Sequence, residues 1–134
     1  MHSTIQRGAL IFGIVFLVVG LLGLLVPTGT GMDANPETAG RLFGLFPVKL
    51  LHNLVHLAFG AWGILAWRSW DASRTYGKVG AVTYGALVLL AFIDPTLFGL
   101  VPIGSHNIWL HVILTLGLVY IGWAPAQAGE RATV

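Results

Sequence analysis

Histidine and asparagine residues occur in two short groups, and their spacing places them on shared helix faces. The groups contain His52, Asn53 and His56, and then His106, Asn107 and His111. Residues four positions apart lie on one face of a helix, so His52 and His56 point together. The same spacing brings Asn107 and His111 together. Imidazole and amide groups on one face can bind a ligand, carry protons or bond to each other.

Four interpretations of these six residues, called the His/Asn cluster below, are open. Facing imidazoles from His56 and His111, with His52 as a third candidate, can ligate a haem iron or the magnesium of a chlorophyll-type pigment. Three or four imidazoles can hold a divalent metal, because imidazole is a common neutral ligand. The same groups can also carry protons. We favour the fourth interpretation, a hydrogen-bonded network that ties two helices to nearby loops, because no carboxylate lies in the apolar stretches to orient a metal-bound imidazole.

Four apolar stretches must position these residues. They run over 9–26, 48–67, 77–93 and 106–124, each with 17 to 20 residues. A helix needs about 20 residues to cross a hydrocarbon core of about 30 Å. Continuous apolar runs, without alternation, indicate helices and not a barrel. We therefore predict an all-α fold, with residues 1–134 forming a single domain of four transmembrane helices.

The composition excludes several function classes. The 134 residues are 56% hydrophobic and 9% charged, whereas soluble domains carry about 25% charged residues. The net charge is only +2 and the seven basic residues are scattered, which argues against nucleic acid as a partner. With no cysteine, disulfides and thiolate metal sites are absent. Paired carboxylates, a nucleophile elbow and a phosphate-binding glycine loop are also absent, so we expect no enzymatic activity.

Basic residues flank the apolar stretches unequally. Five lie on one side, Arg7, Arg68, Arg74, Lys78 and Arg131, and two on the other, Arg41 and Lys49. Because cytoplasmic loops carry the excess of Lys and Arg, we expect both termini in the cytoplasm and the His/Asn cluster in the outer leaflet. The apolar run after Arg7 is long for a signal peptide and lacks a small-residue cleavage site, so we interpret it as the first span.

An internal repeat relates the two halves of the chain. The segment 42–48 recurs as 97–103, 55 residues later, with five of seven residues identical. At this offset His56 corresponds to His111, and His52 to Asn107. Each copy has one helix before the turn and one after it, so both copies share an orientation. We predict two tandem helix hairpins related by a pseudo-two-fold axis along the membrane normal.

The same strings carry a family resemblance. The segment Leu-His-Asn-Leu-Val-His-Leu at 51–57, preceded by 42–48 and followed by Gly60, resembles the signature of the DUF4383 family. The segment 107–111 resembles that family's second, C-terminal signature, although His106 stands where an acidic or small residue is expected. The resemblance covers about residues 8–123. It implies a small bacterial four-helix protein of the cytoplasmic (inner) membrane, and it implies no mechanism.

These observations lead to two functional hypotheses. The first is a non-enzymatic accessory subunit of a larger membrane complex, respiratory or photosynthetic, with lipids and other membrane proteins as partners. The alternative is a small haem-, pigment- or metal-binding bundle that uses His56 and His111. A transporter or channel is disfavoured, because the apolar stretches contain neither a broken helix nor a midplane charge.

Overall fold

The computed structural model describes residues 2–27, 29–32, 35 and 37–125. These residues form helices α1 (Thr4–Leu25), α2 (Leu50–Ala66), α3 (Trp70–Ala91) and α4 (Asn107–Trp123), with strands β1 (Gly40–Leu42) and β2 (Phe46–Val48) between α1 and α2. The prediction of four helices is confirmed. The structure also contains a short β-hairpin, which was not predicted. Arg131, which contributed to the predicted orientation, lies outside the described residues.

The helix α1 begins before its apolar run, at a polar cap. Ser3 Oγ accepts a hydrogen bond from the N–H of Gln6 at 3.3 Å, and Gln6 Oε1 accepts one from the N–H of Ser3 at 2.9 Å. This reciprocal pair satisfies two backbone donors that the first turn leaves free. Gln6 Nε2 also donates to the carbonyl of Trp67 at 3.1 Å. The start of α1 is thereby joined to the end of α2.

The helix α3 begins at Trp70, whereas hydropathy predicted Gly77. Its first two turns are polar, so the apolar run does not reveal them. Ser69 Oγ caps the helix by accepting from the N–H of Ala72 at 3.2 Å. Ser73 Oγ donates at 3.0 Å to a carbonyl in the last turn of α2. These bonds leave a very short connection between α2 and α3.

Glycine residues allow the helices to pack in two close antiparallel pairs. A Cβ atom on Gly63 of α2 would lie 2.8 Å from the Cα of Gly13 in α1. In the second pair, a Cβ atom on Gly77 of α3 would lie 2.5 Å from the backbone nitrogen of Gly122 in α4. Both distances are shorter than a real Cβ contact, so only glycine fits. The fold therefore consists of two hairpins, α1–α2 and α3–α4, each held by backbone-to-backbone packing.

The repeated segments 42–48 and 97–103 share the centre of their turn but differ at its first residue, because Leu97 has a φ of +47° and Leu42 lies in strand β1. Phe43 and Phe98 both have positive φ, +54° and +57°, and the glycines that follow have φ of +72° and +81°. In each copy the N–H of the second leucine donates to the carbonyl of the first, at 3.1 Å and 3.2 Å. The first copy forms the β1–β2 hairpin. In the second, Pro95 occupies the position of Gly40 and has no N–H to donate, so regular strands are not formed.

The helices differ in length, and their outer faces are apolar. The helices α1 and α3 have 22 residues each, about 33 Å at 1.5 Å per residue. The helices α2 and α4 have 17 residues each, about 26 Å. By length and composition, α1 qualifies as a membrane-spanning helix, and α2 and α4 are apolar but shorter. Large aliphatic side chains are exposed along the bundle, such as Leu25, Leu89 and Leu116.

Candidate functional site

Three histidines from two helices meet inside the bundle. His52 and His56 come from α2, and His111 comes from α4. One ligand nitrogen from each lies within 4.8 Å of the other two. The side chains are only 5%, 3% and 2% exposed. We call these residues the three-histidine site. The two hairpins therefore both contribute donors to a single buried point.

Most nitrogens of the three-histidine site lack a hydrogen-bond partner. Within the described part of the chain, Nδ1 of all three histidines and Nε2 of His56 bond to nothing. Buried polar groups in folded proteins are nearly always satisfied, and an exception calls for an explanation such as an ion or a water. Among the described residues, the hydrogen bonds expected of a network with the loops are made by the asparagines and not by these imidazole nitrogens. Imidazole nitrogens gathered at one point can serve as donors to a ligand.

The asparagines of the His/Asn cluster bond to loop carbonyls instead. Asn107 Nδ2 donates to Pro47 O at 2.9 Å and to Pro102 O at 2.8 Å. These prolines are equivalent positions of the repeat, so one amide joins both copies of the turn. Asn53 Nδ2 donates to Gly29 O at 3.0 Å. The amides tie the loops at this end of the bundle to the helices, and they do not bond to the imidazoles.

The structure does not bring His106 into the site. His106 is exposed and precedes the first turn of α4. Its Nδ1 lies 3.3 Å from Ser105 Oγ. Five residues separate it from His111, which at about 100° per residue turns it about 140° away on the helix. It is therefore a histidine close in sequence to the site and separate from it.

Aromatic rings hold the imidazoles in place. The ring of Phe16 in α1 stacks on His56 at 5.5 Å between centroids. The ring of Tyr84 in α3 lies 5.3 Å from that of His111 and stacks on Phe16 at 5.2 Å. Tyr84 is 1% exposed, and its hydroxyl has no partner among the described residues. Sequence reasoning missed Tyr84. Its spacing could have indicated it, because Tyr84 follows Gly77 by seven residues and so lies with it on the inward face of α3.

A cavity of about 180 Å³ adjoins the site. It is lined by all three histidines together with Val55, Thr83, Tyr84, Leu87, Leu97, Val101 and Ile103. The unpartnered nitrogens of the imidazoles are themselves buried, so the rings contribute carbon atoms to this lining. They offer neutral nitrogen donors and no carboxylate.

A carboxylate outside the helices shapes the loop that covers the cavity. Asp94 Oδ1 accepts from Thr96 Oγ1 at 2.6 Å and from the N–H of Thr96 at 2.8 Å, and Asp94 Oδ2 accepts from the N–H of Phe98 at 3.1 Å. These hydrogen bonds, led by that of the Thr96 side chain, lower the pKa of Asp94. The carbonyl of Pro95 accepts from the N–H of Ile103 at 2.9 Å. The loop thus presents its aliphatic residues to the cavity.

Comparison with protein families gives a match over most of the chain. The model of the family described as "Domain of unknown function (DUF4383)" matches residues 6–124. No curated protein and no solved structure matches. The matched range contains all of both hairpins except the first two residues of α1, together with both repeated turns and all three histidines of the site. On this match over most of its length, the chain belongs to the DUF4383 family.

Proposed function

We propose that this chain is a multi-pass protein of the bacterial cytoplasmic membrane that holds one transition-metal ion at His52, His56 and His111. The observation that carries the proposal is the convergence of three buried imidazoles, one ligand nitrogen of each lying within 4.8 Å of the other two. The nitrogens left without hydrogen-bond partners among the described residues support it.

The membrane location is supported by the surface of the bundle. Soluble monomers rarely expose an apolar patch of more than a few hundred Å², and here all four helices expose large aliphatic or aromatic side chains. Arg7, Arg68 and Arg74 lie at the end where α1 begins and α2 ends. Arg41 and Lys49 lie at the other end. The excess of basic residues favours a cytoplasmic position for the first end.

The donor set favours copper in the Cu(I) state. Imidazole suits copper, zinc, iron and nickel. The free energy of removing an ion from water rises steeply with its charge, and the site offers no carboxylate to offset a second positive charge. A singly charged ion is therefore bound at lower cost than Zn²⁺ in this setting. Metal binding also uses the neutral imidazole, the form that an apolar surrounding favours.

The size of the cavity argues against a macrocycle. Pockets for small organic ligands begin at roughly 300 Å³, and the cavity beside the imidazoles measures about 180 Å³. A haem or a chlorophyll-type pigment would require the helices to separate. An ion held by the three imidazoles does not require that change.

Metal titration of the purified protein in detergent micelles tests the proposal. Wild type is expected to bind one Cu(I) per chain in competition with a chromogenic chelator. His56→Ala and His111→Ala are each expected to lower the affinity for Cu(I) at least 100-fold, because only two of the three imidazoles are left to bind the ion. The matched control is His106→Ala, which removes an exposed histidine outside the site and is expected to leave the affinity unchanged.

Two results would contradict the metal proposal. One is wild-type protein that binds no Cu(I), Zn²⁺ or Co²⁺ beyond the level of the His56→Ala variant. The other is an equal loss of affinity in His106→Ala and His56→Ala, which would indicate binding at the surface.

We also propose the accessory-subunit role, which a different observation favours. Phe43 and Phe98 are 72% and 71% exposed at the tips of the two turns. Both have positive φ, a conformation that costs a bulky residue about 1–2 kcal/mol. Two exposed aromatic rings held in this way suit contact with another membrane protein.

Purification in mild detergent tests the accessory-subunit role. A partner retained by wild type is expected to be lost from the double variant Phe43→Ser, Phe98→Ser. Retention of the partner by both proteins would contradict the role.

A further inference from the structure

Two arginines of the first hairpin follow a pair of hydrogen-bonded residues. Gln6 Nε2 in α1 donates to the carbonyl of Trp67 at 3.1 Å, and Trp67 directly follows the last residue of α2. Arg7 comes next in the chain after Gln6, and Arg68 comes next after Trp67. Both arginines are exposed. Two long cationic side chains therefore start from neighbouring positions at this end of the bundle.

The packing of α1 on α2 sets both arginines at the same height. A Cβ atom on Gly63 would lie 2.8 Å from the Cα of Gly13, so these glycines are level in the antiparallel pair. Arg7 precedes Gly13 by six residues, and Arg68 follows Gly63 by five. At 1.5 Å per residue, their heights along the bundle differ by only about 2 Å. Because glycine packing also keeps the two helices close, both guanidinium groups can reach one small anion.

Arg7 and Arg68 differ from the third arginine at this end in their contacts. Arg74 Nη1 donates to Ala124 O at 2.9 Å, and its guanidinium carbon lies 4.7 Å from the centre of the Trp70 ring. Arg74 is thus engaged within the second hairpin. Among the described residues, the side chains of Arg7 and Arg68 make no such bond. Their hydrogen-bond donors remain available to a partner outside the chain.

The surroundings of this arginine pair favour an anion at a membrane surface. Among the described residues, Asp71 is the one acidic residue at this end, since Glu37 and Asp94 lie at the other. The Trp67 ring is half-buried. Tryptophan is enriched where a membrane meets water, because one part of its ring system is apolar and its N–H is polar. The pair therefore combines positive charge with an aromatic residue suited to the interface.

We infer that Arg7 and Arg68 together bind the phosphate group of an anionic phospholipid in the cytoplasmic leaflet. A guanidinium group matches phosphate oxygens through two parallel N–H···O bonds, and anionic lipids of this leaflet attract basic residues next to membrane helices. The inference rests on the proposed membrane location and not on the metal site. A lipid held by one residue from each side joins the start of α1 to the end of α2.

Thermal unfolding of the purified protein in detergent micelles, with increasing phosphatidylglycerol, tests the inference. The lipid is expected to raise the unfolding temperature of wild type, because a ligand of the folded state stabilises it. Phosphatidylcholine with the same acyl chains, which carries no net charge, is expected to raise it less. Arg7→Gln and Arg68→Gln are each expected to lower the affinity for phosphatidylglycerol about fivefold, and the double variant about 30-fold.

The matched control is Arg41→Gln, which removes an exposed arginine at the other end of the bundle. Its affinity for phosphatidylglycerol is expected to equal that of wild type. Equal losses in Arg41→Gln and Arg7→Gln, or equal stabilisation by the two lipids, would overturn the inference. Equal stabilisation by inorganic phosphate would also overturn it, because the ligand would then be a soluble anion.

Alkaline carbonate extraction of membranes from cells that produce the protein separates this inference from the proposal on which it rests. Wild type is expected to remain in the membrane pellet. Release into the supernatant would overturn the membrane location and the lipid site together. Retention in the pellet with no preference for phosphatidylglycerol in micelles would overturn the lipid site alone.

Discussion

Replacing His56 by leucine is expected to stabilise the metal-free protein and to abolish its stabilisation by copper. Both ring nitrogens of His56 are buried without a partner among the described residues. Such a group lowers the stability by about 1–3 kcal/mol, and leucine removes it at similar volume. In wild type, an ion at 100 times its dissociation constant adds about 2.7 kcal/mol. The order of stability of the two proteins should therefore reverse when copper is added.

Thermal unfolding in detergent micelles, with a chelator and then with Cu(I), measures this reversal. The matched control is His56→Gln, which retains a polar group and supplies no imidazole. It is expected to be less stable than His56→Leu without copper and to gain nothing with it. If His56→Leu were instead less stable than His56→Gln in the metal-free state, the imidazole would be bonded within the protein. The network interpretation would then be correct.

Asn107→Leu is expected to destabilise the protein by about 2–4 kcal/mol, more than any other polar substitution near the site. The amide is 1% exposed and donates two hydrogen bonds, to Pro47 O and Pro102 O. Hydrogen bonds between membrane helices contribute about 0.6 kcal/mol on average and up to about 1.7. With the lost bond included, leaving a buried carbonyl unpaired costs about 1–2 kcal/mol in this setting, and two carbonyls are affected. Both turns lose their common anchor at once.

The control for this variant lies on the same helix. Thr115 Oγ1 donates to His111 O, at 2.7 Å and within α4 itself. Thr115→Val removes that bond at nearly constant volume and joins no loop, so a loss below about 1 kcal/mol is expected. Urea or thermal unfolding of both variants in the same detergent gives the comparison. Equal losses would show that the bridge between the two turns has no special importance.

The meeting of His56 with His111 was predictable because the repeat makes them equivalent. The repeat also makes His52 equivalent to Asn107, but these two residues have different contacts. His52 joins the site, whereas Asn107 turns to the carbonyls of Pro47 and Pro102. The choice depends on the path of the loops, which hydropathy does not describe. The absence of hydrogen-bond partners for the imidazole nitrogens could not be predicted. It depends on where the loops place their own donors and acceptors.

The fold was predictable where the chain is apolar and less so where it is polar. The interiors of all four helices follow from apolar runs. The start of α3 at Trp70 does not follow from an apolar run. Ser69 and Ser73 stabilise this start by hydrogen bonds, and hydropathy assigns such polar residues to a loop. Tyr84 escaped notice for a related reason. A tyrosine on an inward face is usual in a core, and only its unpartnered hydroxyl beside the imidazoles distinguishes it.

Because the fold consists of two glycine-packed hairpins, the two hairpins can fold one after the other during synthesis. Contacts between neighbours in sequence form early, and the N-terminal part of a chain folds first during synthesis. The hairpin α1–α2 can thus close as soon as Ala66 has left the ribosome, with His52 and His56 already side by side. His111 arrives 55 residues after His56, with the last helix. A nascent chain therefore holds two of the three imidazoles for several seconds, at about 5–20 residues per second, and at the proposed metal site an ion would be captured only in the final step of assembly.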